Sequence, residues 1–82
     1  MLAKIHITFK NGVLDPQGKA VYHALKDLGY NEVSGIQMGK YLEVQLNGIS
    51  KEEAENRVTE MCEKLFANTV IESYQFTLES AK

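Results

Sequence analysis

Residues 32–47, Glu32-Val33-Ser34-Gly35-Ile36-Gln37-Met38-Gly39-Lys40-Tyr41-Leu42-Glu43-Val44-Gln45-Leu46-Asn47, decide the fold. Leu42, Val44 and Leu46 alternate with Tyr41, Glu43 and Gln45, the two-residue period of a strand over 41–47 with one wet face. The segment 32–38 reads as another strand, although its alternation slips between Val33 and Ile36. Gly39-Lys40 suits a two-residue turn joining the two as an antiparallel pair.

Working outward, residues 2–10 alternate cleanly. Ala3, Ile5, Ile7 and Phe9 face one way; Lys4, His6, Thr8 and Lys10 face the other. A helix follows the run Gly12-Val13-Leu14-Asp15-Pro16-Gln17-Gly18. Asp15 is a good N-cap acceptor, and Pro16 fits the first helical position, where its missing N–H costs nothing. Ala20, Val21, Ala24, Leu25 and Leu28 make one apolar stripe, and Gly29 suits the left-handed residue that ends the helix. Downstream, Ser50 and Glu53 form a capping box. They open a second helix with Ala54, Val58, Met61, Cys62 and Leu65 on its apolar side. Asn68 suits the position after that helix, and residues 70–78 form the last strand, with Tyr74, Phe76 and Leu78 toward the core.

The order β-α-β-β-α-β predicts an α+β ferredoxin-like two-layer sandwich, an antiparallel four-stranded sheet with two helices on one face. All 82 residues, 1–82, fit one domain. A chain this short buries roughly 60–65% of its unfolded surface and is modestly stable alone. The helix-free sheet face then displays His6, Thr8, Tyr41, Glu43, Gln45, Ile71, Ser73, Gln75 and Thr77. Few formal charges and a mix of aromatic, aliphatic and amide groups suit it to self-association, by face packing or by pairing at an edge.

Gly18 stands apart. An ordinary residue in a first helical turn is more stable than glycine by up to ~1 kcal/mol. Keeping glycine there predicts that a backbone or partner approaches closely. On this reading Gly18→Val leaves the fold intact and weakens assembly.

Composition narrows the function. Nine basic residues against eleven acids leave a net charge of −2, and the lysines are scattered rather than gathered for a phosphate backbone. The third-strand region carries one aromatic and an acid where an RNA-recognition domain needs stacked aromatics. A lone Cys62 and an N-terminus running straight into a strand predict a reducing, cytoplasmic setting, and no apolar run reaches the ~20 residues of a membrane span. His6 and His23 have no companions at metal-ligand spacing. Cys62 lies on a core stripe, which suits a buried thiol rather than a nucleophile. Glu52, Glu53, Glu55, Glu60 and Glu63 belong to a wet helix face, with i,i+4 partners in Arg57 and Lys64. Neither GxGxxG nor GxxxxGK[ST] occurs. The residues alone point to an interaction or regulatory module without catalytic apparatus.

Beside this reading, the chain resembles the small subunit of phosphoribosylformylglycinamidine synthase, the PurS family. The likeness rests on Lys10-Asn11-Gly12-Val13-Leu14-Asp15-Pro16-Gln17-Gly18, on Ala20-Val21, Ala24-Leu25 and Leu28-Gly29, on Gly39-Lys40 with Glu43, and on Leu65-Phe66-Ala67-Asn68-Thr69-Val70-Ile71-Glu72-Ser73-Tyr74. Two positions depart from it: Gln37 stands where many members carry Arg, and Thr69 where many carry Pro.

The resemblance implies a non-catalytic subunit of a glutamine-dependent ligase in purine biosynthesis. A large subunit uses ATP and Mg²⁺ to activate an amide oxygen, a glutaminase subunit releases ammonia from glutamine, and this chain binds none of these cofactors. It is expected to form a homodimer or dimer of dimers and to bridge the two catalytic partners, supporting assembly and ammonia transfer. Asp15, Gln17, Gly18, Gly39, Lys40, Asn68 and Glu72 are the expected partner-facing residues, with the Lys40 ammonium available to a partner carboxylate. Neither nucleic acid nor membrane is an expected partner. Two other classes share the topology: an amino-acid-sensing regulatory dimerisation module, and a stand-alone enzyme using His6, Tyr41 and Glu43.

Overall fold

The computed structural model describes residues 1–80. Strand β1 (Leu2–Phe9) is central. Strand β2 (Gly39–Gln45) pairs with it antiparallel, His6 opposite Tyr41 and Ile7 opposite Lys40. Strand β3 (Glu72–Glu79) pairs antiparallel on the other side, His6 opposite Gln75 and Ile7 opposite Tyr74. The sheet therefore has three strands in the order β2-β1-β3. Helix α1 (Pro16–Asp27) follows β1, and helix α2 (Lys51–Met61) follows β2.

The alternation of β1 builds the core. Ala3, Ile5 and Ile7 are fully buried, as are Ala54 and Val58 of α2 and Cys62 just beyond its end, with Leu42, Val44, Leu46, Tyr74, Phe76 and Leu78 half-buried around them. Ser50 caps α2, its hydroxyl accepting the Glu53 N–H at 3.1 Å, while the Glu53 side chain turns back to that hydroxyl at 3.4 Å. The far end of α2 widens into one π-helical turn, Cys62–Phe66, closed by the Ala67 N–H donating to the Cys62 carbonyl at 3.0 Å. A wider turn advances the side chains by less than an α-helix does. Phe66 joins the core, and Leu65, expected inside, is 78% exposed.

Three expectations need correction. The segment 32–38 is not a strand: residues 30–38 run irregularly, and the sheet lacks its fourth member. Gly39-Lys40 is not a turn but the opening of β2, in register with Thr8 and Ile7. The interrupted alternation at Ser34-Gly35 leaves no continuous apolar face to hold a strand there. Finally, α1 does not lie on the sheet. Gly18 is its only buried residue, and Val21 and Leu28 of the expected core stripe are 40% and 73% exposed. The helix stands out from the sheet as an arm, and the chain spans 50 × 30 × 14 Å. A second layer is thus supplied by α2 alone, and the ferredoxin-like sandwich is incomplete within one chain.

Candidate functional site

The arm joins the sheet through a neck of two strands of irregular chain, residues 10–15 going out and 36–38 coming back. Asp15 ties them together. Its Oδ1 accepts the Gly18 N–H at 2.9 Å, capping α1, and its Oδ2 accepts the Met38 N–H at 2.8 Å, gripping the return segment. These bonds, Met38 first and Gly18 second, hold the Asp15 carboxyl below the usual carboxylate range. Gln37 donates through Nε2 to the Phe9 carbonyl at 3.1 Å, a second tie across the neck.

Gly18 explains itself here. A Cβ on it would stand 2.8 Å from the Ile36 carbonyl oxygen and 2.5 Å from Asp15 Oδ2. The close neighbour is the chain's own returning backbone. Gly18→Val therefore cannot leave the fold undisturbed, because a carbonyl fixed in the neck cannot move aside as a flexible side chain does. Gly39 is equally tight, a Cβ there lying 2.6 Å from the Ile7 carbonyl oxygen.

Beside the neck, on the helix side of the sheet, lies a shallow hollow lined by Ile7, Phe9, Gln17, Met38, Lys40 and Glu72. Glu72 is the buried polar residue of the described chain. Its Oε1 accepts the Asn68 N–H at 2.7 Å, and its Oε2 lies 3.6 Å from Lys40 Nζ. Asn68 closes the approach to β3, its Oδ1 accepting the Val70 N–H at 3.2 Å, and Lys10 Nζ donates to the Thr69 carbonyl at 2.6 Å. Asn68 reaches this position without a left-handed backbone, since no non-glycine residue described has a positive φ. The structure thus gathers Asp15, Gln17, Gly18, Gly39, Lys40, Asn68 and Glu72 where the arm meets the sheet. Within the chain, the Lys40 ammonium already has a carboxylate neighbour. Sequence reasoning missed Ile36, Gln37 and Met38 as the other half of the neck; the unexplained Gly18 was the signal that some backbone lay against it.

The helix-free sheet face carries His6, Tyr41, Glu43, Gln45, Ser73, Gln75 and Thr77 exposed, with Thr8 half-exposed. Ile71 sits in the turn before β3, outside the strand. His6 and Tyr41 stack at 4.7 Å between ring centres, and the Tyr41 hydroxyl donates to Glu43 Oε2 at 2.7 Å, which raises the Tyr41 pKa. Lys4 and Glu79 pair at 3.0 Å near one edge. On the opposite face, the Tyr74 hydroxyl donates to Glu63 Oε2 at 2.6 Å, and this bond pushes the Tyr74 pKa up to about 12. Cys62 is fully buried, and burial raises its thiol pKa. Exposed His23 packs edge-on to Tyr22 at 5.7 Å. Among the described residues no three His, Cys, Asp or Glu side chains converge as metal donors, and no helix is long and apolar enough to cross a membrane.

Comparison with known proteins gives a consistent answer. The family model described as PurS, phosphoribosylformylglycinamidine (FGAM) synthase, matches residues 2–80. The phosphoribosylformylglycinamidine synthase subunit PurS of Bacillus subtilis is 49% identical over 76 residues, 93% of this chain and 89% of that one. Its counterpart from Archaeoglobus fulgidus is 43% identical over 74 residues, 90% and 92% of the two chains. The crystal structure of B. subtilis PurS superposes with a TM-score of 0.87 at 47% identity, covering 96% of this chain and 98% of that one. A chain of the PurLQS structure from Thermotoga maritima superposes with a TM-score of 0.79 at 28% identity, covering 94% and 96%.

Proposed function

Because the chain belongs to the PurS family of phosphoribosylformylglycinamidine synthase subunits, which serve purine biosynthesis, we propose that it works as a non-catalytic bridge. It joins the large ATP-dependent synthetase subunit to the glutaminase subunit and supports ammonia transfer between them. ATP, Mg²⁺ and glutamine are handled by those partners. The complex works in the cytoplasm, where a buried, unpaired Cys62 stays reduced.

One observation carries this reading. Seven residues from three separate stretches of sequence, 15–18, 39–40 and 68–72, converge at the neck, and their polar groups hold backbone in place rather than a reacting centre. Asp15 spends both carboxylate oxygens on backbone N–H groups. Glu72 spends one oxygen on the Asn68 N–H and sets the other beside Lys40. The result is a stiff, sculpted surface in which exposed Gln17 and Lys40 remain accessible to a partner. The open sheet face serves a further copy of the chain, since its aromatic and amide groups bury without stranding many charges.

Co-purification tests it. The tagged chain is expected to recover a large synthetase and a glutaminase from lysate of its source cell, more completely with glutamine and Mg-ADP present. Gln17→Arg is expected to lower that recovery roughly tenfold, the effect of losing about 1.4 kcal/mol, with circular dichroism unchanged. Recovery of neither enzyme overturns the bridging role. Full recovery by Gln17→Arg removes the neck from the interface.

A further inference from the structure

We propose that the outer edge of β3 receives an extended segment of a partner subunit, which pairs along Tyr74, Phe76 and Leu78 and sets a lysine or arginine beside Glu55 and Glu63. The inference rests on the reading of the chain as a bridging subunit and names a second docking place, running on from Glu72 at the neck.

The register decides which backbone groups are free. In an antiparallel pair, alternate residues exchange hydrogen bonds with the neighbouring strand, and the residues between them point the other way. The Lys10 N–H donates to the Ile71 carbonyl at 2.8 Å, and the pairing of β1 with β3 continues that register. Ser73, Gln75 and Thr77 therefore turn their backbone groups toward β1, while Tyr74, Phe76 and Leu78 turn theirs outward. β3 ends the sheet on this side, and no other backbone group among the described residues meets them. Natural edge strands are blunted by charges, prolines or bulges. From Ser73 to Leu78 there is neither charge nor proline, and the register is unbroken. The other edge strand, β2, carries Lys40 and Glu43.

The occupant is chosen by the wall above this edge. Helix α2 packs closer to β3 than to either other strand, and a groove lined by Lys51, Glu55, Asn56, Thr59, Phe76 and Leu78 runs between them. Its floor is apolar, with Phe76 and Leu78 half-buried. Its wall is acidic toward the neck. Glu63 is exposed and holds the Tyr74 hydroxyl at 2.6 Å, and Glu55 is exposed with no cation paired to it among the described residues. The Thr59 hydroxyl is spent on the Glu55 carbonyl at 2.8 Å, so the carboxylates are the groups left to recognise a ligand. An added strand gains main-chain hydrogen bonds, and its alternate side chains reach the groove. An apolar side chain fits over Phe76, and a basic one reaches Glu55 and Glu63. A second copy of this chain fits poorly: a two-fold pairing of β3 edges brings α2 beside α2 and turns Glu55 of each copy toward Glu63 of the other, like charge against like.

Amide hydrogen exchange tests it on the full chain, alone and assembled with the synthetase and glutaminase subunits in glutamine and Mg-ADP. After quenching, the chain is read residue by residue by NMR. In the chain alone, the Ser73, Gln75 and Thr77 amides are expected to be protected and those of Tyr74, Phe76 and Leu78 to exchange. Assembly is expected to slow the latter three roughly tenfold or more. Glu55→Lys is expected to lower recovery of the partners roughly tenfold, with circular dichroism unchanged, and Glu55→Gln to lower it less. An assembled complex in which those three amides still exchange freely overturns edge pairing and leaves the bridge intact. Full recovery by Glu55→Lys overturns the basic segment. Protection that appears in the chain alone and grows with its concentration puts a second copy on the edge and overturns the proposal. Failure of the chain to assemble with either subunit overturns both the edge pairing and the bridging on which it rests.

Discussion

Asp15 serves two pieces of chain with one carboxylate, and its neighbours make the consequences measurable. Asn at this position still caps α1, but its amide presents an N–H₂ where a second acceptor is needed, so one of the Gly18 and Met38 N–H groups loses its partner. We expect Asp15→Asn to lower the melting temperature at neutral pH by roughly 4–8 °C, the shift that one lost hydrogen bond gives a domain of this size. The pH dependence has a definite sign. A carboxyl group held below its ordinary value stabilises the fold fully above about pH 4, and that contribution disappears as pH falls through the lowered native value. The difference between wild type and Asp15→Asn is therefore expected to shrink on acidification from about pH 5 toward pH 2, as followed by thermal circular dichroism. A constant difference across that range removes the ionised carboxylate from the explanation. Gly18, hydrogen-bonded to Asp15 in the same knot, shows how a residue that violates local propensity points to tertiary structure. Its sequence signal was real, and the backbone it made room for proved to belong to the same chain.

Among the elements, the turn between α2 and β3 depends most on a single side chain. Glu72 accepts the Asn68 N–H from a nearly buried position, so truncating it leaves that donor without a partner. Glu72→Ala is expected to cost roughly 1–2 kcal/mol in urea denaturation. Glu72→Gln keeps an acceptor and should cost less. Equal losses in the two variants would mean that the Lys40 charge, rather than the hydrogen bond, holds the turn. The helices and strands with a regular period were legible from sequence: β1, α1 with its Asp15 cap, α2 with its Ser50 cap, and the alternation of β2 and β3. What escaped was local geometry that no period announces. The π-helical turn shifts the register so that Phe66 enters the core and Leu65 leaves it. Segment 32–38 carries β-prone residues but finds no neighbouring strand to pair with, because Met38 and Gln37 are bound to Asp15 and Phe9.

At the scale of the whole molecule, the core is a single layer of side chains between α2 and three strands, too small to make the arm's exposed apolar surface incidental. If copies of the chain complete one another, stability depends on protein concentration by mass action. The melting temperature is expected to rise steadily over an about hundredfold increase in concentration, and a melting temperature that stays constant contradicts self-association. Sequence by itself determined the two helices with their caps, three of the four expected strands, the membership of the PurS family, and the division of β1 into a core face and an open face. Each of these depends on interactions within a few residues or on a repeating period, and a single chain displays both. Only the tertiary structure decided that the sheet stops at three strands, that α1 leaves it, and that the neck residues meet. Those outcomes turn on one carbonyl against Gly18 and one carboxylate shared by two N–H groups. Contacts between residues twenty positions apart are set by the path of the chain through space, which local periodicity does not encode.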